Sequence, residues 1–102
     1  MMRHEILVGL HVSDDTSYQA YRDGMTPMLE ARGGFFRYDF RVSEMLKGKS
    51  DQPINRLFLI SFPDRETKDA FFADSDYLAV RAAHFDGAVD SVELIAEFDQ
   101  DV

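Results

Sequence analysis

Residues 54–62 read Ile54-Asn55-Arg56-Leu57-Phe58-Leu59-Ile60-Ser61-Phe62, and Pro63-Asp64-Arg65-Glu66-Thr67-Lys68-Asp69 follow directly. Leu57, Phe58, Leu59, Ile60 and Phe62 put apolar side chains on both faces of an extended chain, which predicts a central strand covered on two sides. Pro63 ends it, because proline has no N–H for the ladder. Asp64 is placed to cap a helix, with Glu66 and Asp69 adding negative charge near its start. The segment beyond, through Phe71-Phe72 and Ser75-Asp76-Tyr77 to Phe85, predicts a helix in two pieces with a break around Ser75.

Outward from this stretch, residues 6–12 predict a first strand. Ile6, Val8, Leu10 and Val12 share one face, Leu7, Gly9 and His11 the other, and Gly9 leaves room for a close approach. Ser13-Asp14-Asp15-Thr16 supplies a helix cap. The helix runs to about residue 32 with Tyr18, Tyr21, Met25, Met28, Leu29 and Arg32 as its inward stripe. Pro27 cannot donate to the Asp23 carbonyl, so a kink or break near Gly24 is expected. Gly33-Gly34 ends the helix, one of the two in the left-handed conformation.

Residues 35–46 alternate as a long second strand. Phe36, Tyr38, Phe40, Val42 and Leu46 fall on one face, and Phe35, Arg37, Asp39, Arg41, Ser43 and Met45 on a mostly polar one, the pattern of an edge strand. In a last strand over residues 88–98, Val92, Leu94, Ala96 and Phe98 oppose Ser91, Glu93, Ile95 and Glu97. Residues 99–102 are expected to fray.

The order is β-α-β-β-α-β in one domain spanning residues 1–102, the ferredoxin-like α+β arrangement. It predicts a four-stranded antiparallel sheet in the order 4-1-3-2, the central pair running parallel, with two helices on one face. Strands one and three are apolar on both faces while helices cover one, so a second copy is the simplest cover for the other.

The chain has 102 residues, a formal charge of −8, nine phenylalanines and no cysteine. Acidity disfavours nucleic acid and anionic membrane as partners, since both are bound through Lys and Arg. Without cysteine there is no disulfide and no thiolate metal site. His4, His11 and His84 lack metal-ligand spacing, no phosphate loop or nucleophile elbow occurs, and nothing indicates a bound cofactor. No segment has the apolar length of a signal peptide or a membrane span, so a cytoplasmic protein is expected.

Several motifs carry a resemblance: Tyr21-Arg22, Met25-Thr26-Pro27-Met28-Leu29, Gly33-Gly34-Phe35-Phe36 and Glu44-Met45-Leu46-Lys47-Gly48. Arg56–Pro63 and Asp74-Ser75-Asp76-Tyr77 followed by Arg81 continue it. The chain resembles the small bacterial family known as domain of unknown function 1330, within the dimeric α+β-barrel group. Ser61 stands where that family usually has an acidic residue, and Phe71-Phe72 where it often has Trp-Tyr. The resemblance implies the fold and a homodimer. The wider group includes cofactor-free monooxygenases, haem-degrading enzymes and small-lactone isomerases.

For chemistry, Tyr77, Arg81 and His84 fall at i, i+4 and i+7 and share a helix stripe, beside an apolar stripe of Leu78, Ala82 and Phe85 expected to face the sheet. Arg81 can hold a carboxylate or enolate, Tyr77 and Tyr21 can donate hydrogen bonds, and His84 can move a proton near neutral pH. His11 and Arg37 are further candidates, each with a structural alternative: a dimer-facing position for His11 and an ion-pair ladder with Asp39 and Arg41 for Arg37. Two functions compete. One is a cofactor-free enzyme of monooxygenase or isomerase type acting on a small anionic or aromatic molecule. The other is a non-catalytic dimeric module that binds a ligand or a partner. A haem-degrading role has His84 in its favour, but the chain is acidic and has no tryptophan.

Overall fold

The computed structural model describes residues 1–102. Strand β1 (Met2–Val12) leads into helix α1 (Asp15–Ala31), strand β2 (Phe35–Arg41), strand β3 (Arg56–Phe62), helices α2 (Arg65–Ala73) and α3 (Ser75–His84), and strand β4 (Val89–Asp101). The sheet order is β2-β3-β1-β4 and every pair is antiparallel. It is an α+β, ferredoxin-like fold, with the strand order expected.

The parallel central pair is corrected. β1 and β3 run antiparallel, with His4 opposite Phe62 and Leu10 opposite Arg56. The α1 crossover returns the chain in the direction of β1, so β2 is parallel to β1. The reversal through residues 42–55 then sends β3 the other way, and β3 inserts between them.

Local signals explain most boundaries. Asp14 caps α1 through the Ser17 N–H, and Asp64 caps α2 through the Thr67 N–H at 2.7 Å. The second helix is divided where expected, because Asp74 ends α2 and caps α3, accepting from the Asp76 N–H at 2.8 Å. Gly33, at φ 79°, is the left-handed terminator. The expected break in α1 is absent: the helix continues through Gly24 and Pro27. Gly24 serves packing instead, since a Cβ there would meet Val80 Cγ1 of α3 at 2.9 Å.

The edge strands depart furthest from simple alternation. β2 ends at Arg41, and Val42 and Leu46 lie outside it, with Leu46 exposed. A register shift between Phe36 and Tyr38 makes Arg37 an extra residue. Phe36 opposite Ile60 and Asp39 opposite Phe58 therefore face the helices, while Tyr38 and Phe40, opposite Leu59 and Leu57, face away. β4 does the same at Ile95. Val92 and Leu94 lie opposite Leu10 and Val8 on the helix side, whereas Ala96 and Phe98 lie opposite Leu7 and Glu5 on the other. Each single insertion moves the rest of its strand to the opposite face. Residues 99–101 do not fray from the sheet: Asp99, Gln100 and Asp101 pair with His4, Arg3 and Met2.

The core lies between sheet and helices. Ile6, Val8, Leu10, Phe58, Ile60 and Phe62 meet Tyr18, Tyr21, Met25 and Leu29 of α1, Phe71 of α2 and Tyr77 of α3. Rings dominate it: Phe71 lies 4.7 Å from Tyr77 and 5.9 Å from Phe62, centroid to centroid. No helix is long and apolar enough to cross a membrane.

Candidate functional site

A cavity of about 120 Å³ opens between the sheet and the helices. β1 and β3 form its floor with Ile6, Val8, Leu10, Phe58 and Ile60, and Val92 of β4 stands at its side. Tyr21, Phe72, Tyr77, Arg81 and Phe85 form the helical walls. Arg81 is the one charged residue in the lining.

Asp74 sets the rotational phase of α3, and that phase turns Tyr77 into the aromatic cluster and Arg81, one turn on, toward the cavity. The stripe expected to face the sheet is corrected accordingly: Leu78 is 46% exposed, and of Leu78, Ala82 and Phe85 only Phe85 is buried. Tyr21 and Tyr77 meet with their hydroxyl oxygens 2.9 Å apart. One hydroxyl donates to the other, which leaves the second proton free for a ligand oxygen. Burial, and then the neighbouring Tyr77 hydroxyl, pushes the Tyr21 phenol well above its ordinary value. It therefore stays protonated and acts as a hydrogen-bond donor, not as a base.

Arg81 sits at the rim with its side chain 39% exposed, its guanidinium 4.8 Å from the Phe85 ring centre and Nε 3.6 Å from Asp86. The pairing with Asp86 is loose, so the cation can still take an incoming carboxylate.

The structure brings Tyr21, Tyr77 and Arg81 together and leaves the other three candidates elsewhere. His84 does not line the cavity; its backbone carbonyl accepts from Ser17 Oγ at 2.8 Å. His11 lies on the opposite face of the sheet, where Nδ1 is 2.6 Å from the Pro53 carbonyl and Nε2 is 3.9 Å from Asp90. Arg37 is also on that face. Its Nε donates to Glu5 at 2.8 Å, so the expected ladder with Asp39 and Arg41 does not form; Asp39 pairs with Arg22 and Arg41 faces Asp15. The bulge separates Arg37 from Asp39 and Arg41, and the sheet itself stands between the cavity and both Arg37 and His11.

Sequence reasoning missed two polar clusters. Glu5, 0% exposed, accepts from Arg37 and Gln100, beside Ser61, which accepts from Arg3 Nε at 2.7 Å. On the helix side His4 is clasped by two carboxylates: Nδ1 lies 2.7 Å from Asp99 and Nε2 2.6 Å from Glu97, which also takes Lys68 of α2 at 2.6 Å. Burial alone would lower the His4 pKa, but its bonds to Glu97 and Asp99 outweigh that and raise it. Lys68 first and His4 second hold the Glu97 carboxyl down at about 2. The signal for the first cluster was a carboxylate directly before the apolar run Ile6-Leu7-Val8, where burial calls for a partner. No group of three or more His, Asp or Glu side chains is arranged to hold a metal ion.

Four antiparallel strands under helices, with an apolar cavity between the layers and one arginine at its mouth, define a ferredoxin-like α+β protein with a helix–sheet pocket. Residues 6–98 match the family described as Domain of unknown function (DUF1330), and the chain belongs to that family. Among solved structures it is similar to a protein of unknown function from Rhodopseudomonas palustris, with 18% identity over 96% of this chain and 80% of that one and a TM-score of 0.78. It is also similar to a dabb family protein with a ferredoxin-like fold from Mesorhizobium loti, with 18% identity over 100% and 98% of the two chains and a TM-score of 0.61. A candidate antibiotic biosynthesis monooxygenase from Nitrosomonas europaea is 10% identical over 97% and 88%, with a TM-score of 0.52. At these identities the likeness is one of fold. Among curated proteins none matches this chain.

Proposed function

We propose that the protein binds a small, largely apolar or aromatic acid in the helix–sheet cavity. The acid's charge lies on Arg81 and a second oxygen is held by the Tyr21–Tyr77 pair. The observation that carries this reading is the lining: ten hydrophobic residues and a single cation, with two phenols bonded to each other. A dry cavity of ~150 Å³ takes a benzene ring, so this one, at about 120 Å³ and open at the Arg81 rim, takes a short branched chain or a ring that projects partly from the mouth. A phenol donor and a guanidinium aimed at one oxygen-bearing ligand stabilise developing enolate charge. That is the contribution a cofactor-free monooxygenase or isomerase makes to a substrate that ionises readily. A second reading, a non-catalytic ligand-binding module, is favoured by one observation: no carboxylate or imidazole lines the cavity, so the protein offers no base there.

The same proposal includes a homodimer in a cytoplasmic setting. Phe35, Tyr38, Phe40 and Phe98 are exposed on the face away from the helices, around Leu7, Leu57 and Leu59. A second copy presents the same apolar face and covers it by two-fold symmetry, which closes two sheets into a barrel.

Calorimetric titration with benzoate tests the cavity. Saturable binding is expected, weakened about tenfold or more by Arg81→Ala, the loss of one charge-assisted contact. His84→Gln should leave binding unchanged. Benzoate affinity equal in wild type and Arg81→Ala would sink the assignment.

A further inference from the structure

Arg56, at the start of β3, is buried without being satisfied. Its side chain is 9% exposed, Nε is enclosed with no partner, and Nη1 stands 3.8 Å from Asp15, beyond hydrogen-bonding distance. Asp15 is itself shared with Arg41 at 3.5 Å. The Tyr18 ring covers Arg56 at 4.8 Å, which stabilises a cation but accepts no N–H in the guanidinium plane. A guanidinium taken from water without matching acceptors is costly. Arg22, also buried beside the Tyr18 ring, shows the contrast: it bonds Asp39 and the Tyr18 hydroxyl and lies 3.8 Å from the Phe36 ring centre.

Arg56 lines a groove of about 400 Å³ between α1 and β2 that shares no residue with the helix–sheet cavity. Four charges line it: Arg22, Arg56, Asp23 and Asp39. Arg22 and Asp39 neutralise each other. Asp23 accepts only the Gln19 amide, at 2.9 Å, and has no cationic partner. In a single groove, then, Arg56 has only the distant Asp15 carboxylate, 3.8 Å from Nη1, and the exposed Asp23 has no cationic partner. A polyanion entering it would meet Asp23 and Asp39, and a simple cation would meet Arg22 and Arg56. A molecule carrying both signs meets neither penalty.

We propose that this groove binds a small zwitterion of the free α-amino-acid class, its carboxylate on Arg56 and its ammonium group toward Asp23. The carboxylate supplies the Nη groups of Arg56 with acceptors closer than Asp15. The ammonium donates to the one groove carboxylate with no counter-charge. This inference is independent of the cavity reading, because the two sites have no residue in common and different charge.

Proton–nitrogen NMR titration tests it, with glycine, acetate and inorganic phosphate as probes and the α1 amides and the Arg56 Nε–H as reporters. Glycine is expected to give saturable shifts at those positions and to bind more tightly than either other probe. Asp23→Asn, an exposed change that leaves the fold alone, should reduce glycine to the affinity of acetate. Arg56→Gln should cost about tenfold or more for glycine and acetate alike. Should Arg56→Gln fail to fold, the Asp23→Asn comparison decides by itself. The proposal is overturned by linear, unsaturated shifts with glycine, by phosphate binding more tightly than glycine, or by Asp23→Asn leaving glycine affinity unchanged.

Discussion

On one side of the sheet, Ile6, Val8, Leu10, Phe58, Ile60 and Phe62 are sealed under three helices. On the other, Leu7, Leu57 and Leu59 alternate with them along the same strands, bordered by exposed Phe35, Tyr38, Phe40 and Phe98. The helix side completes itself within one chain, with rings filling the space from Phe62 to Tyr77 and a cavity left where β4 and α3 diverge. The open side holds a satisfied polar island, Glu5 with Arg37 and Gln100, in a surface that no helix covers, although Ile54 packs over Gly9 at one end. The two proposals divide along this difference: the ligand is assigned to the space between the layers and the second copy to the bare face.

The largest effect is expected in the sealed core. Phe62→Ala removes a ring packed on Phe71 and Phe72, and should lower unfolding free energy by about 3–5 kcal/mol in urea titrations. Phe40→Glu addresses the bare face: sedimentation should change from twice the monomer mass to the monomer mass. If the face is merely solvated, the variant should behave like wild type, because isolated surface changes stay within about 0.5 kcal/mol. Glu5→Gln lies between the two regions in size. It leaves Arg37 without its carboxylate and should cost about 1–3 kcal/mol.

The carboxylates of the two polar clusters set the acid limb of a pH profile, and His4 sets the alkaline limb. Burial pushes the Glu5 carboxyl up, but Ser61, Arg37 and Gln100 more than offset this and hold it below its usual 4.5. Glu97 sits at about 2. Their contributions are present above the unfolded carboxylate value near 4.5 and are lost as the pH falls. The raised His4 contributes fully below 6.5 and loses that contribution as pH rises through its higher folded value. Thermal unfolding should therefore show greatest stability between 4.5 and 6.5, and His4→Gln should flatten the alkaline limb and, because His4 helps Lys68 hold Glu97 down, part of the acid limb as well. The smallest effect belongs to the cavity. Tyr77→Phe leaves the Tyr21 hydroxyl unpaired and should cost about 1 kcal/mol while weakening benzoate binding.

Much of the candidate site was legible because helix spacing is a local property. Tyr77 and Arg81, four residues apart on one helix, had to share a face wherever that helix lay. Arg22 was equally readable, four residues after Tyr18 and three before Met25 on the inward stripe, although a charge there did not read as buried. His11, Arg37 and His84 could not be assigned in the same way: their grouping depended on which face of a strand, or which angle of a helix, met the cavity, and His11 took the face away from the helices that its alternative allowed.

The order of elements, the caps at Asp14, Asp64 and Asp74, the left-handed Gly33 and the doubly apolar β3 all followed from short-range chemistry. Each is decided by a residue and its neighbours within a turn. The faces of the edge strands did not follow. Arg37 and Ile95 are ordinary residues in an alternating pattern, and only pairing with β3 and β1 makes each of them the extra one. The direction of β3 relative to β1 was likewise settled by where the chain reversed, and the missing hydrogen-bond partner of Arg56 Nε by where the folded chain put its acceptors. Those are relations between segments distant in sequence, and they exist only once the strands have been laid side by side.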